Sequence, residues 1–504
     1  MADKRSVIII GAGIAGLSAG CYAQMNGYQT QIFEMHDKPG GVCTAWQRKG
    51  YMIDGCLHWV VGSNPNAGYH FLWEELGAFQ GSKVINFEEF RRIEGEDGRT
   101  WIIYSDLDRL EQHTREIAPE DTKVIHEFIG GARTMSRLDF KWRQVKAPEL
   151  TTIVDNLKAM PQMMSFLPTF LKFRGFSTGQ YAQRFKNPFL QRAFAASFAG
   201  EFAEFSLLAR QGTLGFQHSK QAGLPLGGSL EFARAIEKRY LGLGGQVNYR
   251  SPVAKILVEG NRAVGIRLLN GKEYRGAIII SAADGHSTIF NMLDGKFIND
   301  RIREYYSELP LFPPLLYTGL GVARAFPTEP HEIVYILDTP IMVGSKACHR
   351  MCLDIYSYDS TFAPPGKTSL SVLLYADYDY WQKLRLENRE QYKQEKEKIA
   401  NQIIAFLDTR FPGLANQVEM CDVATPATWE RYTGNWQGSW EGWFLSSKVF
   451  MTSMSKELPG LKNFYMVGQW VEPGGGSPAA AVSGRNAIQI ICKRDRKRFI
   501  TTKP

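Results

Sequence analysis

Six residues near the start of the chain carry the first readable chemistry. Gly11, Gly13 and Gly16 are spaced G-x-G-x-x-G, Glu34 follows at about the 20-residue offset of a dinucleotide fingerprint, and Gly40-Gly41 follow the acid. Gly11 suits a tight turn, Gly13 a close approach of backbone to a pyrophosphate, and Gly16 tight packing of helix on strand. Glu34 can accept both hydroxyls of an adenosine ribose. The adjacent pair Gly40-Gly41 signals a second place where bare backbone meets the same ligand.

These residues work only if particular elements hold them. Ser6–Ile10 is a short β-branched run and reads as a buried parallel strand. Ile14 and Ala15 open a helix that runs past Tyr22 and stops near Gly27. The free N–H groups and positive dipole end of that helix attract phosphate. Gln29–Phe33 is a second strand, delivering Glu34 at its end. Strand, glycine turn, helix, strand and acid occur together, which a chance glycine spacing does not produce.

Two distant segments repeat the same device. Pro225-Leu226-Gly227-Gly228-Ser229-Leu230 opens a helix through Tyr240, with Ser229 as candidate N-cap. Val253–Leu257, Val264–Leu268 and Ala277–Ile280 then read as strands, with an Asn270-Gly271 turn and a closing Ser281-Ala282-Ala283-Asp284. Near the other end, Asn463–Val467 is a strand running into Gly468-Gln469-Trp470. Gly474-Gly475-Gly476-Ser477-Pro478-Ala479 then leads into a small-residue helix ending about Cys492. Again a helix N-terminus and bare backbone face a ligand.

With these motifs in place, the chain resembles the phytoene desaturase, carotenoid isomerase and retinol saturase family of FAD-dependent oxidoreductases, within the amine-oxidase-like flavoproteins. The resemblance spans nearly the whole chain and is weakest in its substrate-facing stretches. It implies FAD as cofactor, with contacts from Gly11, Gly13, Ile14, Ala15, Gly16, Glu34, Met35, Lys38, Gly40, Gly41 and Val42. It adds the Val253 backbone at the adenine end, and Gly468, Gln469, Gly475, Gly476, Ser477, Pro478 and Ala479 along the flavin. Gln469 departs from the family, which usually has an acid there. It implies an α/β fold: a discontinuous Rossmann-like FAD-binding domain, an inserted mixed α+β substrate domain and a helical, membrane-contacting lobe. The segments are 1–104, 221–290 and 456–504 for the FAD domain, 105–220 for the helical lobe, and 291–455 for the substrate domain.

The substrate side is less explicit. Asp106–Ile117 and Asp121–Trp142 have amphipathic spacing, and Asn388–Thr409 is a charged amphipathic helix. Met160–Phe176 mixes Met, Phe and Leu with Lys172 and Arg174, as an interfacial segment does; an ordinary core helix pair around Pro161 and Pro168 is the alternative. The tail Lys493–Arg498 is basic enough to touch anionic lipid, or simply to complement a helix dipole. Leu315–Val322 and Ser369–Ala376 are strand-like. Thr425–Tyr432 resembles the family's segment that returns toward the flavin. Trp429, Tyr432, Trp436, Trp440 and Trp443 either line an apolar channel or fill core. Within Tyr51–His58, His58 is the candidate acid or base, against a purely structural histidine.

Composition bounds the rest. At 504 residues the chain exceeds a single core, which stops growing near roughly 250–300 residues. A net charge of +8 is too weak to argue for nucleic acid but suits an anionic membrane surface. Seven cysteines without a CxxC pair disfavour a zinc ribbon, and Cys348, His349 and Cys352 lack a fourth ligand, so no metal is expected. The glycines interrupt what otherwise resembles a signal peptide, and no run reaches the roughly 18 apolar residues of a membrane span. A cytoplasmic, peripherally membrane-associated protein is expected. There is no second dinucleotide fingerprint, and Cys43 and Cys56 are too widely spaced for a disulfide-reductase motif, so any NAD(P)H must reach the flavin directly, as a transient electron donor. The expected activity is hydride transfer at a carbon–carbon bond of a long apolar isoprenoid or polyene, as desaturation or saturation. A redox-neutral cis–trans isomerase, an amine oxidase and a non-enzymatic carrier of prenylated proteins are the alternatives, the last disfavoured by the intact glycine fingerprint.

Overall fold

The computed structural model describes residues 5–138, 146–197, 204–447, 449, 452 and 454–504. Its organising element is a five-stranded parallel sheet. The order across it is Gln246–Asn248, β2 (Gln29–Phe33), β1 (Ser6–Ile10), Ile278–Ser281 and Phe464–Met466. Three separated stretches of chain therefore build one sheet. The isoleucines of β1 point alternately to two cores, as strand geometry requires. Val7 and Ile9 pack with the helix α1 (Ile14–Met25) and the C-terminal helix Gly476–Arg494. Ile8 and Ile10 pack beneath the antiparallel sheet of Val253–Glu259, Arg262–Leu268 and Glu273–Arg275. α1 ends at Met25, with Asn26 as cap and Gly27 in the left-handed region. The Asn270-Gly271 turn leads into the short strand Glu273–Arg275 before the chain returns to the parallel sheet.

A second sheet of seven strands forms the opposite layer. Its order is Val418–Ala424, Leu315–Val322, Thr368–Tyr375, Lys346–Ile355, Glu332–Val343, Glu89–Gly95 and Thr100–Tyr104. The last two strands come from within 1–104, the stretch assigned from sequence to the FAD domain. Ile93 and Ile103 are buried against Val334 and Ile336, so apolar pairing draws them to the other sheet. A hairpin, β3 (Ala45–Arg48) and β4 (Tyr51–Asp54), joins the two layers. Tyr51 and Ile53 lie against Gly321 and Gly319, where a β-carbon would meet their side chains at 2.5 and 2.8 Å.

The stretch 105–220 is helical. Asp106 caps Leu107–Ile117, and Thr122–Ser136 follows; the predicted extension to Trp142 runs into residues outside those described. Met160 and its neighbours belong to one helix, Ile153–Phe173, rather than to a pair broken at the prolines. A Thr152–Asp155 capping box starts it, and Pro161 and Pro168 lie inside. Only Ala159 and Phe173 of this helix are buried, while Val154, Leu157, Met160, Met163, Met164 and Leu171 are all more than half exposed. Asn388 caps Arg389–Arg410. Ser229 is not an N-cap. The helix Gly228–Gly242 starts from Gly227, and the Ser229 backbone N–H donates to Asp54 Oδ2 at 2.6 Å while its hydroxyl bonds the other carboxylate oxygen. Among the described residues no helix is long and apolar enough to cross a membrane.

Candidate functional site

A cleft of about 820 Å³ opens at the carboxyl ends of β1 and β2. Ligands of open α/β sheets bind in such a crevice. Gly16 is in α1 directly behind the turn: a β-carbon there would lie 2.0 Å from the Gly11 carbonyl oxygen, so nothing larger fits. Gly40, at φ +111°, would put a β-carbon 2.1 Å from the Cys43 carbonyl, and it bridges to Gly13 as a parallel strand would. The two glycine runs thus lie against each other and form the cleft floor.

Glu34 is buried at the end of β2, its Oε2 accepting from the Ala12 N–H at 2.6 Å and its Oε1 from the His36 N–H at 2.8 Å. Burial raises its pKa and these donors oppose the rise. Lys38 donates to the Ala45 carbonyl at 3.2 Å, which ties the loop to the hairpin. On the far side, Gly468 donates its N–H to Ser483 Oγ at 2.7 Å. Gly475 caps the helix Gly476–Arg494 without a side-chain bond, and α1 is likewise capped only by Gly13. Neither helix has an acid in its first turn. Two helix N-termini therefore present unanswered donors and positive dipole ends. α1 and the C-terminal helix approach so closely that a β-carbon on Gly484 would sit 2.6 Å from the Ala15 carbonyl.

Gly11, Gly13, Ile14, Ala15, Glu34, Met35, Lys38, Gly40, Gly41, Val42, Val253, Gly468, Gln469, Gly476 and Ser477 all line this one cleft. Gly16, Gly475, Pro478 and Ala479 do not; they lie behind its wall or beside it. Ala282, Ala283 and Asp284 also line the cleft. Sequence reading saw them only as the end of a strand. Asp284 accepts from the N–H groups of Ser287 and Trp436, at 2.7 and 2.9 Å, and burial pushes its pKa up to about 6.

Beyond the floor the wall becomes aromatic. Trp46, Trp429, Tyr432 and Trp440 line it, whereas Trp443 is fully buried in core and Trp436 stacks on His286 at 4.5 Å. Trp46 and Trp429 meet edge to face at 5.9 Å, and the Trp46 Nε1–H donates to Asp422 at 2.8 Å. Cys43 and Cys56, distant in sequence, face each other two steps beyond the β3–β4 ladder, and the Cys43 thiol donates to the Ser229 carbonyl at 3.4 Å. Both line the cleft, and the Cys56 thiol is held well above its usual range by the Cys43 contact and by burial. Glu441, next to Trp440, is the feature that sequence reading missed. It lines the cleft, and its Oε2 lies 3.0 Å from where a Gly475 β-carbon would be.

His58 does not line the cleft. Its Nδ1 sits 3.7 Å from Asp354, and its ring lies 5.8 Å from that of Trp440, which does. The charge of Asp354 overcomes the burial cost and raises the His58 pKa to about 9. His58, Glu332 and Asp354 place one ligand atom each within 4.8 Å of one another. Arg91 is paired to Glu332, so cations already balance this buried acidic pair.

A glycine cradle at the end of a parallel sheet, completed by two uncapped helices and roofed by a second sheet, defines an oxidoreductase of the dinucleotide-cofactor type. The sequence profile of the flavin-containing amine oxidoreductases matches residues 14–492, and the chain belongs to that family. It is an FAD-dependent oxidoreductase. Over 96% of the chain it is 26% identical to a neurosporene-forming phytoene desaturase of Rhodobacter capsulatus, covering 93% of that protein. It is 24% identical to the all-trans-retinol 13,14-reductase of Danio rerio, over 93% of the chain and 82% of the relative. It is 23% identical to the chloroplastic prolycopene isomerase of Daucus carota, over 95% and 79%. Among solved structures, an oxidoreductase from Methanosarcina mazei superposes with a TM-score of 0.60 at 16% identity, over 96% of this chain and all of that one.

Proposed function

We propose that this protein adds or removes hydrogen at a carbon–carbon bond of a long polyene or isoprenoid, with FAD held in the glycine cleft. One observation carries the reading: relatives that align over nearly the whole chain are named for phytoene, retinol and prolycopene. The aromatic wall of Trp46, Trp429 and Trp440 supports it, since conjugated chains pack well on such rings.

The residues present fit the cofactor. Glu34 would take the ribose, and the α1 N-terminus with Gly11, Gly13, Gly40 and Gly41 the pyrophosphate. Val253 would meet the adenine. Gly468, Gln469, Gly476 and Ser477 would follow the flavin, and Gly16, Gly475, Pro478 and Ala479 shape the loops behind. FAD supplies an acceptor or donor of hydride. The protein's part is to orient the chain's carbon beside that group and keep water away. Saturation and isomerisation both need a proton donor as well, and desaturation a proton acceptor. Any NAD(P)H would act as a transient donor entering the same cleft.

The exposed apolar row on Ile153–Phe173 suits collection of such a substrate from a lipid surface. Exposed Lys158 on this helix fits an anionic headgroup, while Lys146 and Lys172 are paired to Asp155 and Glu127. The basic tail contributes less. Arg494 is paired to Glu457, and Lys497 lies 4.4 Å from the centre of the Tyr28 ring. The reading places the protein in the cytoplasm, peripherally on a membrane.

The direct test is anaerobic. FAD-loaded protein on anionic liposomes is offered phytoene, all-trans-retinol and prolycopene, with and without NADPH, while flavin absorbance and polyene products are followed. A changed polyene spectrum with at least one of them is expected. Turnover of simple amines with all three polyenes inert would replace the reading with an amine oxidase. Co-sedimentation with the liposomes at low salt is expected to be lost in Met163→Glu/Met164→Glu; no binding by the unaltered protein removes the membrane part.

A further inference from the structure

We propose that Glu441 is the catalytic acid–base residue of the cleft, moving the proton that accompanies hydride transfer; this rests on the polyene reading above. The argument is one of position and elimination. Five carboxyl groups line the cleft: Glu34, Asp37, Asp284, Asp422 and Glu441. Glu34 accepts two backbone N–H groups, and Asp284 accepts two others. Asp422 accepts from Trp46 and pairs with Arg48, and Asp37 pairs with His36 and Arg250 on the exposed rim. Glu441 alone of the five has no hydrogen-bond or ion-pair partner among the described residues.

Its location fits the task. Glu441 sits between Trp440, on the aromatic wall, and the Gly474–Gly476 loop that leads into the C-terminal helix. The groups facing it are few. His58 lies behind Trp440, cationic and tied to Asp354, and it favours the carboxylate. Cys56 is a neutral thiol. Burial outweighs His58 and pushes Glu441 up to about 7, where a carboxyl can both hold and give up a proton.

The balance is simple. In desaturation one C–H bond breaks with its electron pair leaving as hydride to FAD. The neighbouring C–H gives its proton to the Glu441 carboxylate, and that bond's electrons become the new C=C. The substrate loses two electrons and FAD gains them. Saturation runs this in reverse, with the Glu441 carboxylic acid giving the proton. Isomerisation needs Glu441 to give a proton and take one back, with no net redox change.

The test compares the native protein with Glu441→Gln and Glu441→Asp, all loaded with FAD. Flavin fluorescence quenching first establishes that the three bind FAD alike. Glu441→Gln is expected to lower kcat about 100-fold or more, the usual weight of general acid–base catalysis, with little change in KM and a flattened pH profile. Glu441→Asp should restore part of the rate and a shifted profile. Infrared difference spectra across pH 5–9 provide a readout without substrate: a carboxylic-acid band disappearing near pH 7, and missing from Glu441→Gln. Native activity on a polyene with unchanged kcat in Glu441→Gln overturns the assignment of Glu441 alone. Native inactivity on every polyene overturns the substrate reading instead, and the infrared band then decides for Glu441: its presence supports a stored proton, and its absence ends the proposal.

Discussion

The two ends of the cleft are made of different material. The cofactor end is backbone: Gly11, Gly13, Gly40, Gly41 and two helix N-termini, with Glu34 nearly the only side chain given a task. The other end is side chain: Trp46 from a hairpin, Trp429 and Tyr432 from the helix Pro426–Thr433, and Trp440 and Glu441 from the loop after it. Gly16 and Gly40 tolerate no added atom, whereas a side-chain wall can change and still stand. The first end is suited to holding one cofactor, and the second to choosing among substrates.

The largest expected effect breaks the cradle. Gly16→Val would drive its side chain into the Gly11 carbonyl, costing about 1–3 kcal/mol by overpacking and at least roughly tenfold in FAD affinity. Fluorescence titration with FAD measures it, and unchanged binding would mean the cradle can shift. Trp440→Ala should sharpen the contrast from the other end. FAD affinity stays within about threefold, while kcat/KM for a polyene falls roughly 10-fold, as losing about 1–2 kcal/mol of aromatic burial requires. Equal losses of FAD and substrate would show that the ends are not separable.

The last effect lies behind the wall and bears on stability alone. His58 is held near 9 against about 6.5 when unfolded, so its contribution is complete below about pH 6.5 and gone above about 9. Asp284 and Glu441, raised to about 6 and 7 from 3.8 and 4.5, also favour the folded state when protonated, and lose that advantage between about pH 4 and 7. Below about pH 6.5 groups of lowered pKa such as His331 and Glu332 act in the opposite sense, so the fall that belongs to His58 stands out between about pH 6.5 and 9. In His58→Gln the upper part of the fall, on the order of 2 kcal/mol between pH 6.5 and 9, should vanish. Urea unfolding at a series of pH values reads this directly; an identical slope in the variant would place the titration elsewhere.

The same contrast explains what could be read from sequence. Backbone cradles leave glycines at fixed spacing, so the cleft floor, both flanking helices and four of the five parallel strands were legible, whereas the short edge strand Gln246–Asn248 was not. The wall depends on which side chains meet after folding. Trp440 and Trp443 are three residues apart, yet one lines the cleft and the other is core. Nothing local distinguishes them. Glu441 has no motif around it, and its role follows only from the absence of partners that the fold denies it. Ser229 was misread because a serine at a helix start is usually a cap; a buried carboxylate, Asp54, claimed it instead. The Glu89–Tyr104 strands were given to the wrong layer because pairing partners, not local pattern, decide sheet membership.

The strand Phe464–Met466 closes the edge of the parallel sheet, beside a partner made nearly two hundred residues earlier. During synthesis the cofactor platform thus waits until residues 464–466 have been made, and neither the Gly468 turn nor the helix Gly476–Arg494 exists before then. Flavin capture should therefore wait for the third segment, and until then Ile278–Ser281 is an open apolar sheet edge of the kind that chaperones shield. Nascent chains stalled before residue 460 should bind chaperone but no flavin, and early flavin capture on such chains would show that the first two segments suffice.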